Sequence, residues 1–370
     1  MSKLKILRET NFGQSVAEEE TESLREYFVM TNQWNKVYKG EVDIVYGPKG
    51  SGKSAIYLLI DKYRSDFSQN NIVLSFAENP RGATAFSDLK IDPPLSERAF
   101  INLWKLYLLV LIGDHFNVCG TQTRNGAEVL ETLKSSKLLP EERRLKVILA
   151  KVKGYIKKYF NPTSLEPNAT FDYETGMPGI GIKVSFNEPT GQHVLEGIKS
   201  VDTLLHKADQ ELVDSGLRIW FLIDRLDVAF SESSELEENA LRALFKTYID
   251  LNGYNSIKLK VFLRDDIWSR IIKAGFREAT HITKHTNIEW DRPSLLNLII
   301  RRFLKNQAII QFYEVSREDV LESLDRQEEL FYKIFPRQVD SGRNPDTLEP
   351  LAKLFERFFL NLVHTQNMPY

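Results

Sequence analysis

The sequence predicts an α/β fold built on a parallel sheet, and three features carry that expectation. The stretch 42-VDIVYGPKGSGKSAIYLLID-61 is an apolar strand that passes through a glycine-rich turn into a helix. A second run, 71-NIVLSF-76, is short and continuously apolar, as a strand buried on both faces would be. Further on, helix 198–214, strand 218-RIWFLID-224, helix 235–251 and strand 258-KLKVFLR-264 alternate. Strand–helix–strand units in that order close as right-handed crossovers.

Taken in order, residues 14–26 (QSVAEEETESLRE) read as an acidic, helical lead-in, and YFVMTNQWNKVYKGE carries the chain to the first strand. After the glycine turn, 53-KSAIYLLIDKYRSDF-67 sets Ile56, Leu59, Ile60 and Tyr63 at helical spacing. Residues 78–95, with three Pro, read as loop, and 97–116 as a strong helix. From about 117 the character changes: a polar break, helix-prone 126–158, a loop at 161-NPTSLEPN-168, and 179-GIGIKVSFN-187, which alternates like an exposed strand. Beyond the resumed α/β pattern, 280-THITKHTNIEW-290 reads as a further strand, and only helical patterns follow from 293. The expected organisation is a lead-in (1–40), a first core part (41–116), a mainly helical insertion with a short β segment (117–197), a second core part (198–290) and a helical C-terminal region (291–370).

Charged residues make up 27% of the chain and the formal net charge is −2, which excludes a globally basic nucleic-acid coat but not a local patch. Cys119 is the sole cysteine, so no intrachain disulfide is possible and a reducing, cytoplasmic compartment fits. The first residues lack a signal-peptide core. The most apolar run, 106-LYLLVLI-112, is far short of the ~20 residues that span a bilayer, so no membrane partner is expected.

Gly47-Pro48-Lys49-Gly50-Ser51-Gly52-Lys53-Ser54 matches G-x-x-x-x-G-K-[ST] in full, between a strand and a helix. The glycines let successive backbone N–H groups approach phosphate oxygens, and the helix that follows adds its positive end. Lys53 would reach the β- and γ-phosphates, and the Ser54 hydroxyl would ligate Mg²⁺. Ala55 completes the expected nucleotide-binding stretch. The bland alternative is a flexible glycine-rich turn. The strand 219-IWFLIDRLDV-228 ends in Asp224, suited to the Mg²⁺ shell, with Asp227 three residues on, placed to polarise an attacking water. An acidic turn at a strand end is the competing reading. The strand 258–264 ends in Arg264, which would either read the γ-phosphate or be solvated.

The loop GPKGSGKS, the D-x-x-D ending of LIDRLD and the terminal Arg of VFLR resemble AAA+-related P-loop ATPases, and within them the STAND-like and KAP-like prokaryotic ATPases. The lead-in EYFVMTNQWNKVYKGE and the later RDDIWSRI…EATHITKHTNIEWDRPSLLNLIIRRF are similar to those of a bacterial P-loop ATPase family associated with anti-phage defence. The resemblance covers about 25–116 and 198–303 and leaves out the insertion. It implies a P-loop NTPase fold with a five-stranded sheet in the order 5-1-4-3-2 and a helical lid. It also implies ATP and Mg²⁺ as cofactors, Asp224 on the metal, Asp227 on the water, Arg264 as sensor and 26-EYFVMTNQW-34 beside the adenine. An arginine finger would be Arg270 or Arg277, unless both merely cap and solvate helices. The chain departs from the pattern in its lid: the one Pro-Arg of residues 291–370, Pro336-Arg337, stands in a different setting, which points to a short, divergent or partner-completed lid and against fast hydrolysis.

Residues 134–158 are rich in Lys and Arg, and Lys146, Lys151, Lys153, Lys157 and Lys158 would form either a stripe for DNA or RNA backbone or a solvated helix face. His281 and His285 are not expected to bind zinc, because no Glu follows His281 and the segment alternates like a strand. Three functions then compete. The first is a regulatory ATPase whose nucleotide state sets homo-oligomer assembly or signalling to a separate effector protein. The second is a nucleic-acid-stimulated motor or loader using the basic insertion. The third, a small-molecule kinase, is disfavoured by the long insertion and the D-x-x-D strand end.

Overall fold

Among the described residues the largest sheet has five parallel strands: β1 (Ile44–Gly47), β2 (Ile72–Phe76), β3 (Arg218–Ile223), β4 (Ile257–Arg264) and β5 (His285–Asn287). Across the sheet their order is β5-β1-β4-β3-β2. The computed structural model describes residues 3–13, 17–19, 24–77, 97–139, 145–160, 171–172, 177–178, 184–186, 199–224, 234–273 and 275–335. The chain divides into two units, one of Val42–Val45 and Asp61–His285, the other of Met1–Glu41, Tyr46–Ile60 and Thr286–Tyr370.

In the first of these units β2 pairs with β3 (Ile72 opposite Arg218) and β3 with β4 (Ile219 opposite Ile257). All residues of β3 except Arg218 are buried, which explains its unbroken apolar run. The helix Glu97–Cys119 is long and apolar enough to cross a membrane by length and composition, yet 72% of its most apolar window is buried inside the protein. Its polar atoms confirm a core position: the Trp104 indole donates to the Ala240 carbonyl (2.9 Å) and the Tyr107 hydroxyl to the Ala77 carbonyl (2.8 Å).

The helix Arg124–Ser135 is capped twice. Thr123 accepts from the Gly126 N–H, and the buried Glu211 carboxylate, from the helix Val201–Asp214, accepts from the N–H groups of Gln122 (2.7 Å) and Thr123 (2.9 Å) and from the Thr123 hydroxyl. Burial alone would raise the Glu211 pKa, but these donors together with Ser215 hold it below the ordinary value of 4.5. A depressed carboxylate stabilises the fold above its unfolded pKa and loses that contribution as pH falls through the folded one. Glu211→Gln is therefore expected to unfold at lower urea than the wild type at pH 7, with the gap closing at pH 3. A gap of equal size at both pH values would show that the ionised cap contributes nothing.

In the other unit, the N-terminal helix Lys3–Glu9 buries Ile6 against Leu296, Ile299, Ile300 and Phe303 of the helix Arg292–Phe303 and against Phe331 and Ile334 of the helix Leu324–Ile334. Asn11 and Asn306 exchange two hydrogen bonds, Asn11 N–H to the Asn306 side-chain oxygen (2.9 Å) and Asn306 Nδ2 to the Asn11 carbonyl (3.0 Å). Phe12 stands edge-on to Phe303 with ring centroids 4.7 Å apart. Asp291 caps the helix Arg292–Phe303 by accepting from the Ser294 N–H (2.8 Å), with Pro293 in the first turn.

Several expectations change. The helix expected over 53–67 is two, Lys53–Lys62 and Arg64–Gln69, broken at Tyr63. The strand expected over 280–290 is only His285–Asn287, because Arg277–His281 forms a 3-10 turn. The alternating segment 179–187 is not an exposed strand where it is described: Val184 and Ser185 are buried and pair with Lys199–Ser200, and the Tyr155 hydroxyl bonds both the carbonyl (2.7 Å) and the N–H (3.1 Å) of Val184. Of the acidic lead-in, the described residues form a 3-10 turn at Ala17–Glu19 and a helix at Leu24–Tyr27. The helix-prone stretch 126–158 contributes Arg124–Ser135 and Leu145–Phe160.

Candidate nucleotide site

The strand β1 ends at Gly47, and the helix that follows begins at Lys53, so the loop between them has five residues to reverse the chain. Gly50 and Gly52 take φ values of +83° and +102°, which side-chain-bearing residues rarely adopt. Gly47 is required for a different reason: a Cβ there would lie 2.8 Å from Ser51 Oγ and 3.2 Å from the Ile288 carbonyl oxygen. The Lys53 ammonium is buried and folded over its own loop, donating to the carbonyls of Gly47 and Pro48 at 2.8 Å each. Within the loop the Ser51 N–H donates to the Pro48 carbonyl (3.1 Å). From outside, the Trp290 indole donates to the Ser51 carbonyl (2.9 Å). Lys49 and Pro48 are exposed, and Ser54 follows Lys53 in the first helical turn.

Beside this loop, and in the same unit, lies a cavity of about 120 Å³. One wall is the lead-in (Leu24, Tyr27, Phe28, Val29, Thr31), another is the loop and helix (Gly50, Ser51, Gly52, Ala55, Ile56). Ile288, Glu289, Trp290, Leu298 and Arg302 close it. The Arg302 guanidinium stacks 4.5 Å over the Tyr27 ring and donates to the Phe12 carbonyl. Asn287 holds one Glu289 carboxylate oxygen (2.9 Å), and Tyr46 is raised above its ordinary pKa by burial and then by the Glu289 charge. Chemically, a glycine-rich loop at a helix N-terminus with a lysine can accept a polyphosphate, and an adjoining apolar and aromatic cavity can accept a planar base.

The other expected site residues among those described belong to the unit of Val42–Val45 and Asp61–His285. Asp224 follows the last residue of β3 and is buried, with 4% of its surface exposed. Asp227 lies outside the described residues. Arg264 ends β4 and grips Asp266 with two bonds, Nε to Oδ1 (2.9 Å) and a terminal nitrogen to Oδ2 (2.7 Å). Burial works against the Asp266 charge, but this fork holds its carboxyl below the ordinary value. Of the two finger candidates, Arg270 is ion-paired with Glu237 in its own unit, and Arg277 is exposed at the start of the 3-10 turn. Pro336-Arg337 lies outside the described residues.

The basic stretch 134–158 does not present a uniform stripe. Lys151 donates to the Leu139 carbonyl (3.0 Å), Lys153 is half-buried and Lys146 is exposed. The side chains of Lys157 and Lys158 are not among those described. Among the described residues, no group of three or more His, Cys, Asp or Glu could hold a metal ion. Oxygen donors such as Ser54 and Asp224 suit Mg²⁺, which keeps most of its shell in water and phosphate and needs one or two protein ligands.

Tyr27 belongs to the segment 26–34 expected beside the adenine, and Tyr27, Phe28, Val29 and Thr31 of that segment line the cavity. Trp290, Arg302 and Glu289 were not singled out in the sequence. The available signal was weak: a Trp beyond the end of an edge strand, and an Arg on the apolar side of the next helix. No family model, no curated protein and no solved structure matches the chain. The likeness to AAA+-related ATPases therefore rests on the quoted residues alone.

Proposed function

We propose that the chain is an ATP-binding, Mg²⁺-dependent P-loop ATPase of the cytoplasm that works as a nucleotide-controlled switch. In this reading ATP sets homo-oligomeric assembly and signalling to a separate effector, in bacterial anti-phage defence. The observation that carries it is the phosphate loop with Lys53 at its centre, opening beside an apolar cavity walled by Tyr27, Phe28 and Trp290. The strand order β5-β1-β4-β3-β2, with the loop at the end of β1 and Asp224 after β3, supports a P-loop NTPase fold. Lys53 and the loop amides would bind the phosphates, while Ser54 and Asp224 would hold the magnesium that offsets their charge. Asp227 would orient the water and Arg264 would sense the γ-phosphate, which requires the Arg264–Asp266 fork to open. The defence setting rests on the family resemblance. A nucleic-acid motor is the weaker reading, since Lys151 is engaged by its own chain.

Light-scattering mass with and without ATP–Mg²⁺, for the wild type, Lys53→Ala and Asp227→Asn, tests the switch. The wild type is expected to change mass with ATP, Lys53→Ala to stay unchanged, and Asp227→Asn to hold the ATP form longer while hydrolysing more slowly. One nucleotide-independent mass in all three proteins would remove the assembly switch. Turnover stimulated by added DNA or RNA would favour the motor instead.

A further inference from the structure

Ser51 and Gly52 share a peptide unit flanked by glycines, and glycine backbones rotate at little cost. Gly50 at φ +83° and Gly52 at φ +102° give the loop its path, but Gly52 has no Cβ to bar other orientations of the peptide between Ser51 and Gly52. The Trp290 indole N–H supplies that restraint by binding the Ser51 carbonyl at 2.9 Å. In a planar trans peptide the carbonyl and the N–H point in opposite directions. Holding the Ser51 carbonyl toward Trp290 therefore turns the Gly52 N–H away from it. The ring also lies 3.9 Å from where a Gly52 Cβ would stand, so it packs on the loop as well as bonding it.

Trp290 is itself held from both sides. Ile288 N–H donates to the Tyr46 carbonyl (2.8 Å), which ties the preceding residues to β1. Asp291, the next residue, caps the helix Arg292–Phe303. A ring fixed between a strand pairing and a helix start has little freedom to follow the loop if the loop moves. It also lines the cavity in which the base is placed.

We propose that Trp290 is a positioning residue for the phosphate loop: its indole N–H orients the Ser51–Gly52 peptide for phosphate binding, and its ring joins that loop to the base cavity. This rests on the nucleotide reading of the site. A phenylalanine would keep most of the ring and lose only the donor. The loss therefore falls on the phosphates and is the same whether or not a base is attached.

Calorimetric titration of Trp290→Phe with ATP–Mg²⁺ and with inorganic tripolyphosphate–Mg²⁺ tests the assignment. Both ligands are expected to bind about 3- to 10-fold more weakly than to the wild type, the size of one hydrogen bond. The unliganded melting temperature is expected to stay close to the wild-type value. Trp290→Tyr also removes the indole donor and is expected to show the same paired loss, which guards against a folding defect peculiar to one variant. Unchanged binding of both ligands in the variants would overturn the proposal, and so would a loss confined to ATP, which would make the ring a base contact only. A wild type that binds neither ligand would instead overturn the nucleotide reading itself.

Discussion

Lys53→Ala is expected to abolish ATP–Mg²⁺ binding at concentrations that saturate the wild type, while the unliganded fold stays intact. Removing one partner of a desolvated charge pair costs about 2–5 kcal/mol, or roughly 30-fold to several thousand-fold in Kd. The alanine is expected to be tolerated without nucleotide because two effects of the ammonium oppose each other, so that its removal relieves one while losing the other. The ammonium sits in the first turn of the helix Lys53–Lys62, where the helix dipole opposes a positive charge, and it is balanced by donating to the Gly47 and Pro48 carbonyls. In a thermal-shift assay the wild type at 100 times its Kd gains about 2.7 kcal/mol from the ligand, and the variant is expected to gain almost nothing. An equal ATP-dependent shift in both proteins would remove Lys53 from the site.

Lys260→Met is expected to be the most destabilising single change in the sheet, by about 3–5 kcal/mol in urea denaturation. Lys260 and Asp43 are each only 3% exposed and meet at 2.6 Å; Lys260 also donates to the Val42 carbonyl (2.7 Å) and lies 4.3 Å over the Trp220 ring. The Tyr248 hydroxyl donates to the second Asp43 oxygen (3.1 Å). Burial nevertheless pushes the Lys260 ammonium below the ordinary lysine value, outweighing the Asp43 charge beside it. Desolvation of a buried pair generally offsets much of its attraction, whereas breaking the pair strands a buried carboxylate. The double change Asp43→Leu with Lys260→Met is expected to recover most of the loss, since Tyr248 keeps Asn252 as a partner. A double variant as unstable as Lys260→Met alone would show that the pair itself stabilises the fold.

Two strands were legible because their buried faces mark the sequence: 218–224 read as a buried apolar strand and 258–264 as another strand, and they form Arg218–Ile223 and Ile257–Arg264. What hid from the sequence was decided by partners far along the chain. Val184 and Ser185 alternate as a solvent-facing strand would, but Tyr155 and the pairing with Lys199–Ser200 bury them. The helix Lys3–Glu9 is too short to announce itself, and it exists because Ile6 is covered by residues almost 300 positions later.

The turn between Gly47 and Lys53 was legible for a different reason: a glycine-rich reversal between a strand and a helix is written in consecutive residues, and strand, turn and helix stand where the motif sets them. Of the cavity beside it only the wall from 26–34 was expected; the part formed by Trp290 and Arg302 was not, because it comes from separated segments that no local pattern links to Tyr27. Arg264 was found at its strand tip, but its fork with Asp266 could be foreseen only from the turn into the helix Asp265–Lys273.

In the proposed function ATP–Mg²⁺ occupies the phosphate loop and the cavity next to it. Amide hydrogen exchange on the full chain measures this segment by segment. With saturating ATP–Mg²⁺, exchange is expected to slow in 47–56, in 24–31 and in 288–302, and in none of them for Lys53→Ala. Unchanged exchange in all three segments of the wild type, or slowing confined to other parts of the chain, would contradict it.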